Sequence, residues 1–190
     1  MLPRLLVVLT AFFTLLVSHA QAQLTWTPQT SGTTETLREV WGADASHVWA
    51  VGHSGTIVKY DGSAWAPQTS GTAFNLIGVW GTDASNVWAV GSGGTILKYN
   101  GSTWAAQTSN TTAELRSVWG TDASNVWAVG GSGIIVKWNG SVWAEQTSGT
   151  TKLLFGVSGT SATNVWAVGF DGTIRHWDGS TWAAQTSNNV

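Results

Sequence analysis

The stretch Val79-Trp80-Gly81-Thr82-Asp83-Ala84-Ser85-Asn86-Val87-Trp88-Ala89-Val90-Gly91 decides the fold, because close copies of it occur at three other places in this 190-residue chain. Each copy is followed by a Gly-Thr-Ile-like turn, and then by an aromatic residue, Asp or Asn, Gly, Ser, a variable residue and Trp. These last tryptophans, Trp65, Trp104, Trp143 and Trp182, recur every 39 residues, and Trp26, before the first copy, falls at the same interval. A fixed period of this length is typical of solenoids, propellers and linear arrays.

One repeat predicts four short strands joined by tight turns. The apolar, β-branched and aromatic runs that predict them are 76–80, 87–90, 95–99 and 103–107. The runs are separated by turn residues at 81–85 and 91–94, and by Asn100-Gly101, a strong hairpin signal. No run has the length or the period of a helix. The unit is therefore predicted to be an antiparallel four-stranded meander.

A meander with apolar residues on both faces has to be covered on both sides, as the blades of a propeller are. The predicted fold is all-β, a β-propeller-like array of four four-stranded antiparallel blades, at about 37–69, 76–108, 115–147 and 154–186. One extra N-terminal strand is expected over residues 24–30. It makes five strands of the fourth type against four of each other type. We therefore expect a homo-oligomer, such as an eight-bladed ring of two chains, or a fragment of a longer propeller, rather than a closed monomeric ring.

The repeat resembles that of bacterial exported β-propeller proteins of the BNR-like class. The resemblance rests on Val-Trp-Ala-Val-Gly, on Gly-Thr-Ile and on the aromatic-Asp/Asn-Gly-Ser-x-Trp segment, and it covers residues 23–190. It extends, more distantly, to the photosystem II assembly and stability factor family. That family usually has Asp-Gly-Gly-x-x-Trp where this chain has Asp61-Gly62-Ser63-Ala64-Trp65, and the sialidase Asp-box is not matched. The resemblance implies a propeller, and no photosystem role is carried over.

The first 22 residues are predicted to be a secretory signal peptide, cleaved after Ala22. Arg4 provides the basic start, residues 5–17 the apolar run and Ala20-Gln21-Ala22 the cleavage site. We therefore expect a secreted or periplasmic protein with no membrane span. Without Arg4, seven basic residues stand against ten acidic ones, a net charge of −3, which argues against a nucleic-acid partner. The chain has no cysteine, so packing has to provide its stability.

The fourteen tryptophans suggest both a core and a ligand surface. Those in the second strand are expected to form the core between blades; they are Trp49, Trp88, Trp127 and Trp166. Those in the outermost strand are more accessible in a propeller, and each follows an acid or amide that can bind a sugar hydroxyl. The candidate ligand-binding residues, for carbohydrate or protein, are Asp61, Trp65, Asn100, Trp104, Asn139, Trp143, Asp178 and Trp182.

Catalytic and metal chemistry have little basis in the sequence. Asp44, Asp83 and Asp122, one for each of three units, are expected to accept backbone N–H groups of their own turns. Three scattered histidines, at positions 47, 53 and 176, lack the spacing of a metal site. Glu35, Glu39 and Glu114 are the only candidates for the paired carboxylates of a glycosidase. No catalytic residue, metal or cofactor is predicted.

The functional hypothesis is an exported, non-catalytic binding or scaffold module of unknown ligand. A multivalent carbohydrate-binding lectin is the alternative, and a glycan-active enzyme is less favoured. Most exceptions to the repeat lie in the last unit, where a terminal unit often differs because it caps the array. They are Leu154-Phe155, Ser158, Phe170-Asp171 and Arg175-His176.

Overall fold

A computed structural model of the chain describes residues 27–186. The predicted signal peptide and residues 24–26 of the predicted extra strand lie outside this range. Residues 27–30, the rest of that strand, have no regular secondary structure. Within residues 27–186, no helix is long and apolar enough to cross a membrane.

Sixteen strands form four separate four-stranded sheets, so the prediction of four antiparallel blades is confirmed. Blade 1 consists of β1 (Leu37–Asp44), β2 (His47–Gly52), β3 (Ile57–Tyr60) and β4 (Trp65–Gln68). Blade 2 consists of β5 (Leu76–Asp83), β6 (Asn86–Gly91), β7 (Ile96–Tyr99) and β8 (Trp104–Gln107). Blade 3 consists of β9 (Leu115–Asp122), β10 (Asn125–Gly130), β11 (Ile135–Trp138) and β12 (Trp143–Glu145). Blade 4 consists of β13 (Leu154–Ser161), β14 (Asn164–Gly169), β15 (Ile174–Trp177) and β16 (Trp182–Gln185).

The first strand of each blade is longer than the sequence predicts. The apolar pattern of blade 2 suggested a strand over 76–80 and a turn over 81–85, but β5 continues to Asp83. The extension is paired with β6, with Gly81 opposite Val87 and Asp83 opposite Asn86, and it contains a β-bulge. Glycine and threonine were interpreted as turn residues because the sequence does not show the partner strand that pairs with them.

The blades stack in chain order, and the stack is open at both ends. The first strands contact one another in the order β1, β5, β9 and β13, and within residues 27–186 no comparable contact joins β13 to β1. Each blade has a forward face, which meets the next blade, and a rear face, which meets the preceding one. The forward face of blade 1 contributes Trp49, Val51 and Ile57 to a buried cluster with Leu76 and Leu97 of blade 2. Equivalent clusters join blades 2 and 3 and blades 3 and 4.

A pair of tryptophans forms the centre of each junction between blades. Trp41 stacks on Trp49 with ring centroids 5.9 Å apart, and the equivalent pairs in blades 2 and 3 are 5.8 and 6.1 Å apart. The indole of Trp41 reaches the next blade so closely that a Cβ on Gly81 would lie 2.7 Å from its ring. The backbone oxygen of Asn86 in the same blade would lie 2.6 Å from this Cβ, so glycine is required both by the strand pairing and by the tryptophan of the preceding blade.

At each junction a lysine lies over one aromatic ring of its own blade and one of the next blade. The Nζ of Lys59 lies 5.0 Å from the centre of the Trp49 ring and 5.6 Å from that of Tyr99 in the next blade. Lys98 and Lys137 bridge the following blades in the same way. A cation over two aromatic rings adds electrostatic attraction to the apolar contact.

The expectation that all four second-strand tryptophans are buried is wrong for Trp166. Trp49, Trp88 and Trp127 are fully buried, whereas 39% of Trp166 is exposed. Trp166 is on the forward face of blade 4, where no blade of the described residues follows. Its Nε1 donates a hydrogen bond to Oδ1 of Asn164 at 3.0 Å. Identical sequence in the repeats cannot reveal this difference, since burial depends on the neighbouring blade.

Two substitutions at the same template position test the stacking. We expect Trp127→Ala to lower the free energy of unfolding by about 3–5 kcal/mol, because it opens a cavity between blades 3 and 4. Trp166→Ala, on the open face, should cost about 1 kcal/mol. Urea denaturation followed by circular dichroism measures both. Equal losses for the two variants would contradict the stacking described above.

Candidate binding surface

The blades present two rims, and one of them is almost the same in every repeat. This repetitive rim consists of the turns between the first and second strands and those between the third and fourth strands. In the first kind of turn, Oδ1 of Asp83 accepts the N–H of Ser85 at 2.8 Å, as expected for a structural aspartate. Asp44 and Asp122 do the same in blades 1 and 3. In the second kind, Oδ1 of Asn100 accepts the N–H groups of Ser102 and Thr103.

The predicted ligand-binding residues lie at this repetitive rim. Asp61, Asn139 and Asp178 bond their own turns as Asn100 does. The indoles of Trp104, Trp143 and Trp182 are buried, each packed at about 5–6 Å against the aromatic residue at the end of the third strand. An indole buried in this way has no open face for a sugar ring. Trp65 is half-buried and is the only one of the four with accessible surface. The role of the set in ligand binding stays a prediction.

Two of these turn residues carry a titratable group. The N–H groups of Ala64 and Ser63 point at the carboxylate of Asp61 and lower its pKa to about 2. Those of Thr181 and Ser180 lower the pKa of Asp178 to about 2 in the same way. Both carboxylates are exposed, and both complete the hydrogen bonds of their own turns.

These pKa values predict an acid-sensitive contribution to stability. A carboxylate whose pKa is lower in the folded chain than the unfolded value of about 3.9 stabilises the fold above that pH. The contribution is lost as the pH falls to about 2. Asn100 and Asn139 form the same turns without titrating, so Asp61→Asn with Asp178→Asn should make stability less pH-dependent between about pH 4 and pH 2. Urea midpoints across this range test it, and an unchanged pH dependence in the double variant would contradict it.

The opposite rim carries residues that differ among repeats. It consists of the segments that enter β1, β5, β9 and β13, the first two residues of each of these strands, and the one-turn 3₁₀ segments between the second and third strands, at 53–55, 92–94, 131–133 and 170–172. The residue just after the second strand is histidine, serine, glycine or phenylalanine in the four blades. The residue two positions before the first strand is Glu35, Phe74, Ala113 or Lys152. We call this surface the variable rim.

Contacts between neighbouring blades make the variable rim continuous. The backbone N–H of Ser54 in blade 1 donates to Oδ1 of Asn75, which enters blade 2, at 3.0 Å. Between blades 2 and 3, the Oγ of Ser92 contacts the carboxylate of Glu114 at 3.5 Å. Glu114 forms an ion pair of 2.7 Å with Arg116. The guanidinium of Arg116 lies 5.6 Å from the ring of Phe155 in blade 4.

The phenylalanines of residues 27–186 all lie on the variable rim, and all are exposed. Phe74, Phe155 and Phe170 are 56%, 46% and 54% exposed. The same rim carries the Glu114–Arg116 pair and a Lys152–Asp171 pair of 2.5 Å. Exposed aromatic rings among paired charges are typical of surfaces that bind proteins. The repetitive rim has no phenylalanine, and its exposed large apolar side chain is Val142.

The variable rim also holds strained backbone. Ser54, Ser132 and Asp171, at the centre of their 3₁₀ segments, have φ of 54°, 54° and 53°, in the left-handed region. Glycine adopts this conformation without cost, and blade 2 has Gly93 there. Three blades keep a side chain at a position where glycine would be more stable. Strain retained in this way is a reason to infer a role for the side chain in function.

Two grooves lined by both polar and apolar residues open beside the variable rim. One, of about 800 Å³, runs between the 3₁₀ segment of blade 2 and the linker that follows that blade. Its counterpart in blade 3 has about 850 Å³. The side chains of Thr95, Gln107, Asn110 and Thr111 line the first groove, together with backbone groups of Gly94. These grooves provide hydrogen-bonding groups next to the exposed rings.

Each candidate catalytic carboxylate has a different hydrogen-bond or ion-pair partner. Oε2 of Glu39 accepts the N–H of Val79 at 2.7 Å, linking blades 1 and 2; burial raises the pKa of Glu39, and this hydrogen bond partly offsets the rise. Glu114 pairs with Arg116, and Glu35 accepts a hydrogen bond from Ser54. Each of the three carboxylates thus has a structural partner of its own. In residues 27–186, no group of three or more histidine, aspartate or glutamate side chains could hold a metal ion.

Comparison with solved structures agrees with the propeller fold. YCF48 bound to a D1 peptide superimposes with a TM-score of 0.65 and 20% sequence identity, covering 87% of this chain and 59% of that one. YCF48 from Cyanidioschyzon merolae gives a TM-score of 0.63 and 18% identity, covering 82% and 58%. The chain thus spans about three fifths of the length of both. No family model matches the chain, and no curated protein matches it in sequence. At this identity the likeness shows the fold alone: the chain is a β-propeller array.

The sequence repeat predicted no ligand contact at the variable rim. Its candidate residues are the Asp/Asn-Trp pairs repeated in every unit, and the structure uses these pairs in the turns and in aromatic packing. The sequence signal that points to the variable rim is the set of positions at which the four units differ. Phe155 and Phe170 were noted as exceptions, but they were interpreted as features of a terminal blade.

Proposed function

We propose that this chain is a non-catalytic propeller module that binds a protein segment across its variable rim. The observation that carries the proposal is the position of Phe74, Phe155 and Phe170, which are exposed on the rim where the repeats diverge. Exposing three large rings to water is unfavourable, so selection for folding alone would place them elsewhere.

The chemistry of the rim suits an extended peptide. Apolar side chains of a peptide would pack on the phenylalanine rings, and its backbone amides would bond to groups lining the grooves. Lys152 and Arg116 offer positive groups, while Glu114 and Asp171 offer negative ones. Such a mixed surface selects a sequence by complementary charges rather than by net attraction. The structural neighbour YCF48 has been solved with a D1 peptide, which supports a peptide ligand for a propeller of this shape.

Export is part of the same proposal. The predicted signal peptide, with cleavage after Ala22, would place the module outside the cytoplasm, and we propose a secreted or periplasmic location. The BNR-like resemblance of the repeats agrees with it. The absence of cysteine from the chain means that the module would fold in an oxidising compartment without disulfides.

Substitutions taken from the repeat itself test the binding surface. Phe74→Ala introduces the residue that blade 3 has at this position, and Phe170→Ser introduces that of blade 2. Because both side chains occur naturally in other blades, the fold should be kept. On an array of immobilised random-sequence peptides, we expect the parent protein to bind a subset of sequences. The double variant should bind the same sequences at least about tenfold more weakly, as hot-spot truncation does.

The matched control is Val142→Thr, which removes an exposed apolar side chain from the opposite rim and introduces the residue that blades 2 and 4 have there. It should bind peptides as the parent does. Equal loss in the control, or a parent protein that binds no peptide, would contradict the proposal. A parent protein that binds a glycan array instead, and loses this binding in Trp65→Ala, would favour the lectin alternative.

A further inference from the structure

Within residues 27–186, each end of the blade array exposes apolar side chains that no other blade covers. On the rear face of blade 1, Val40 is 61% exposed, whereas its counterpart in blade 2, Val79, is 3% exposed. On the forward face of blade 4, Val168 is 47% exposed, whereas its counterpart in blade 3, Val129, is fully buried. In the three interior junctions, these two kinds of face cover each other.

The rear face of blade 1 retains the residues that receive a neighbouring blade. In blade 2 the buried set on this face is Leu76, Val79, Val87, Ala89, Leu97, Tyr99 and Trp104. Blade 1 has the same or a similar residue at every one of these positions: Leu37, Val40, Val48, Ala50, Val58, Tyr60 and Trp65. Within this set Ala50 and Val58 are already buried in the single chain, so the most open part of this face is at β1, where Leu37 and Val40 are exposed.

The forward face of blade 4 retains most of the complementary set. Trp166, Val168 and Ile174 are the same residues that blades 1 to 3 bury against the next blade. His176 stands where those blades have the bridging lysine, and it stacks on Trp166 with ring centroids 4.1 Å apart. Ser158 replaces the tryptophan that reaches into the next blade.

From this complementarity we infer that the forward face of blade 4 binds the rear face of blade 1 in a second copy of the chain. The contact continues the blade stacking, because it joins the same two surfaces as the three interior junctions. Two copies related by a two-fold axis form two such junctions and close a ring of eight blades. The ring leaves no apolar blade face open to water.

The junction between copies is weaker than the interior ones. Because Ser158 replaces the first tryptophan, blade 4 has one indole where the interior blades have a stacked pair. Gly42 of the second copy, the counterpart of Gly81, therefore has no tryptophan ring packed against it. His176 replaces the flexible lysine and faces Tyr60 of the second copy, as Lys59 faces Tyr99. A dimer that separates on dilution follows from this smaller contact.

Multi-angle light scattering on the purified protein, after removal of the predicted leader, tests the inference. We expect particles of two chains that dissociate on dilution; a monomer at all attainable concentrations would overturn the inference.

Val40→Asp and Val168→Asp each place a charge on one of the two faces, at exposed positions that the fold tolerates. Either should abolish the dimer, whereas Val142→Asp, on an exposed turn of blade 3, should not. A dimer that survives either face variant, with folding checked by circular dichroism, would also overturn the inference.

Mixing the two variants distinguishes a junction of two different faces from a junction of identical ones. The Val40→Asp chain keeps an intact forward face, and the Val168→Asp chain keeps an intact rear face. Each should be monomeric alone, and the equimolar mixture should contain particles of two chains joined by one junction. A mixture that stays monomeric would overturn the inference.

A gain of affinity provides a second readout that loss of folding cannot imitate. Ser158→Trp restores the indole that interior blades place over the glycine of the next blade. We expect the dissociation constant of the dimer to fall by about tenfold or more. An unchanged constant would place Ser158 outside the junction and overturn the inference.

Discussion

The fold depends on one contact, in which a pair of stacked tryptophans in each of blades 1 to 3 packs against the next blade where that blade has a glycine. Trp80 stacks on Trp88 and reaches so close to Gly120 that a Cβ there would lie 2.9 Å from the ring. Because the chain has no cysteine and few charges, this apolar contact has to replace disulfides and ion pairs as the source of stability. The other features of the repeat keep the sheets at the spacing that this contact requires.

Because of this dependence, the residues that stabilise the fold differ from those at the variable rim. Residues that are the same in all units serve the junctions and the repetitive rim, where Asp or Asn side chains hold the turns. Residues that differ gather at the variable rim, where no junction restricts them, and they include exposed phenylalanines, paired charges and serines in the left-handed region. In the proposed function, the repeat supplies a rigid frame and the variable rim binds the ligand.

Sequence reasoning predicted the blades well, because a 39-residue period with four apolar runs leaves few alternatives. It was wrong about Trp166, since a repeat pattern cannot show which blade lacks a neighbour. It assigned residues after Trp80 to a turn, since the pairing of Gly81 with Val87 involves another strand. The structure buries Trp104 and Trp143, two of the predicted ligand contacts, against neighbouring aromatic residues, and the role of the predicted set in ligand binding stays a prediction. The variable rim required knowledge of which turns share an edge, and only the topology provides it.

The central claim is that a blade is stable because its neighbour covers it. Native-state hydrogen exchange, measured by mass spectrometry on dilute protein, tests this most directly. The amides of β6 and β10, whose tryptophans are fully buried, should exchange more slowly than those of β14, whose Trp166 is exposed, although the three strands have the same Asn-Val-Trp-Ala-Val-Gly sequence. Equal protection of the three strands would contradict the claim.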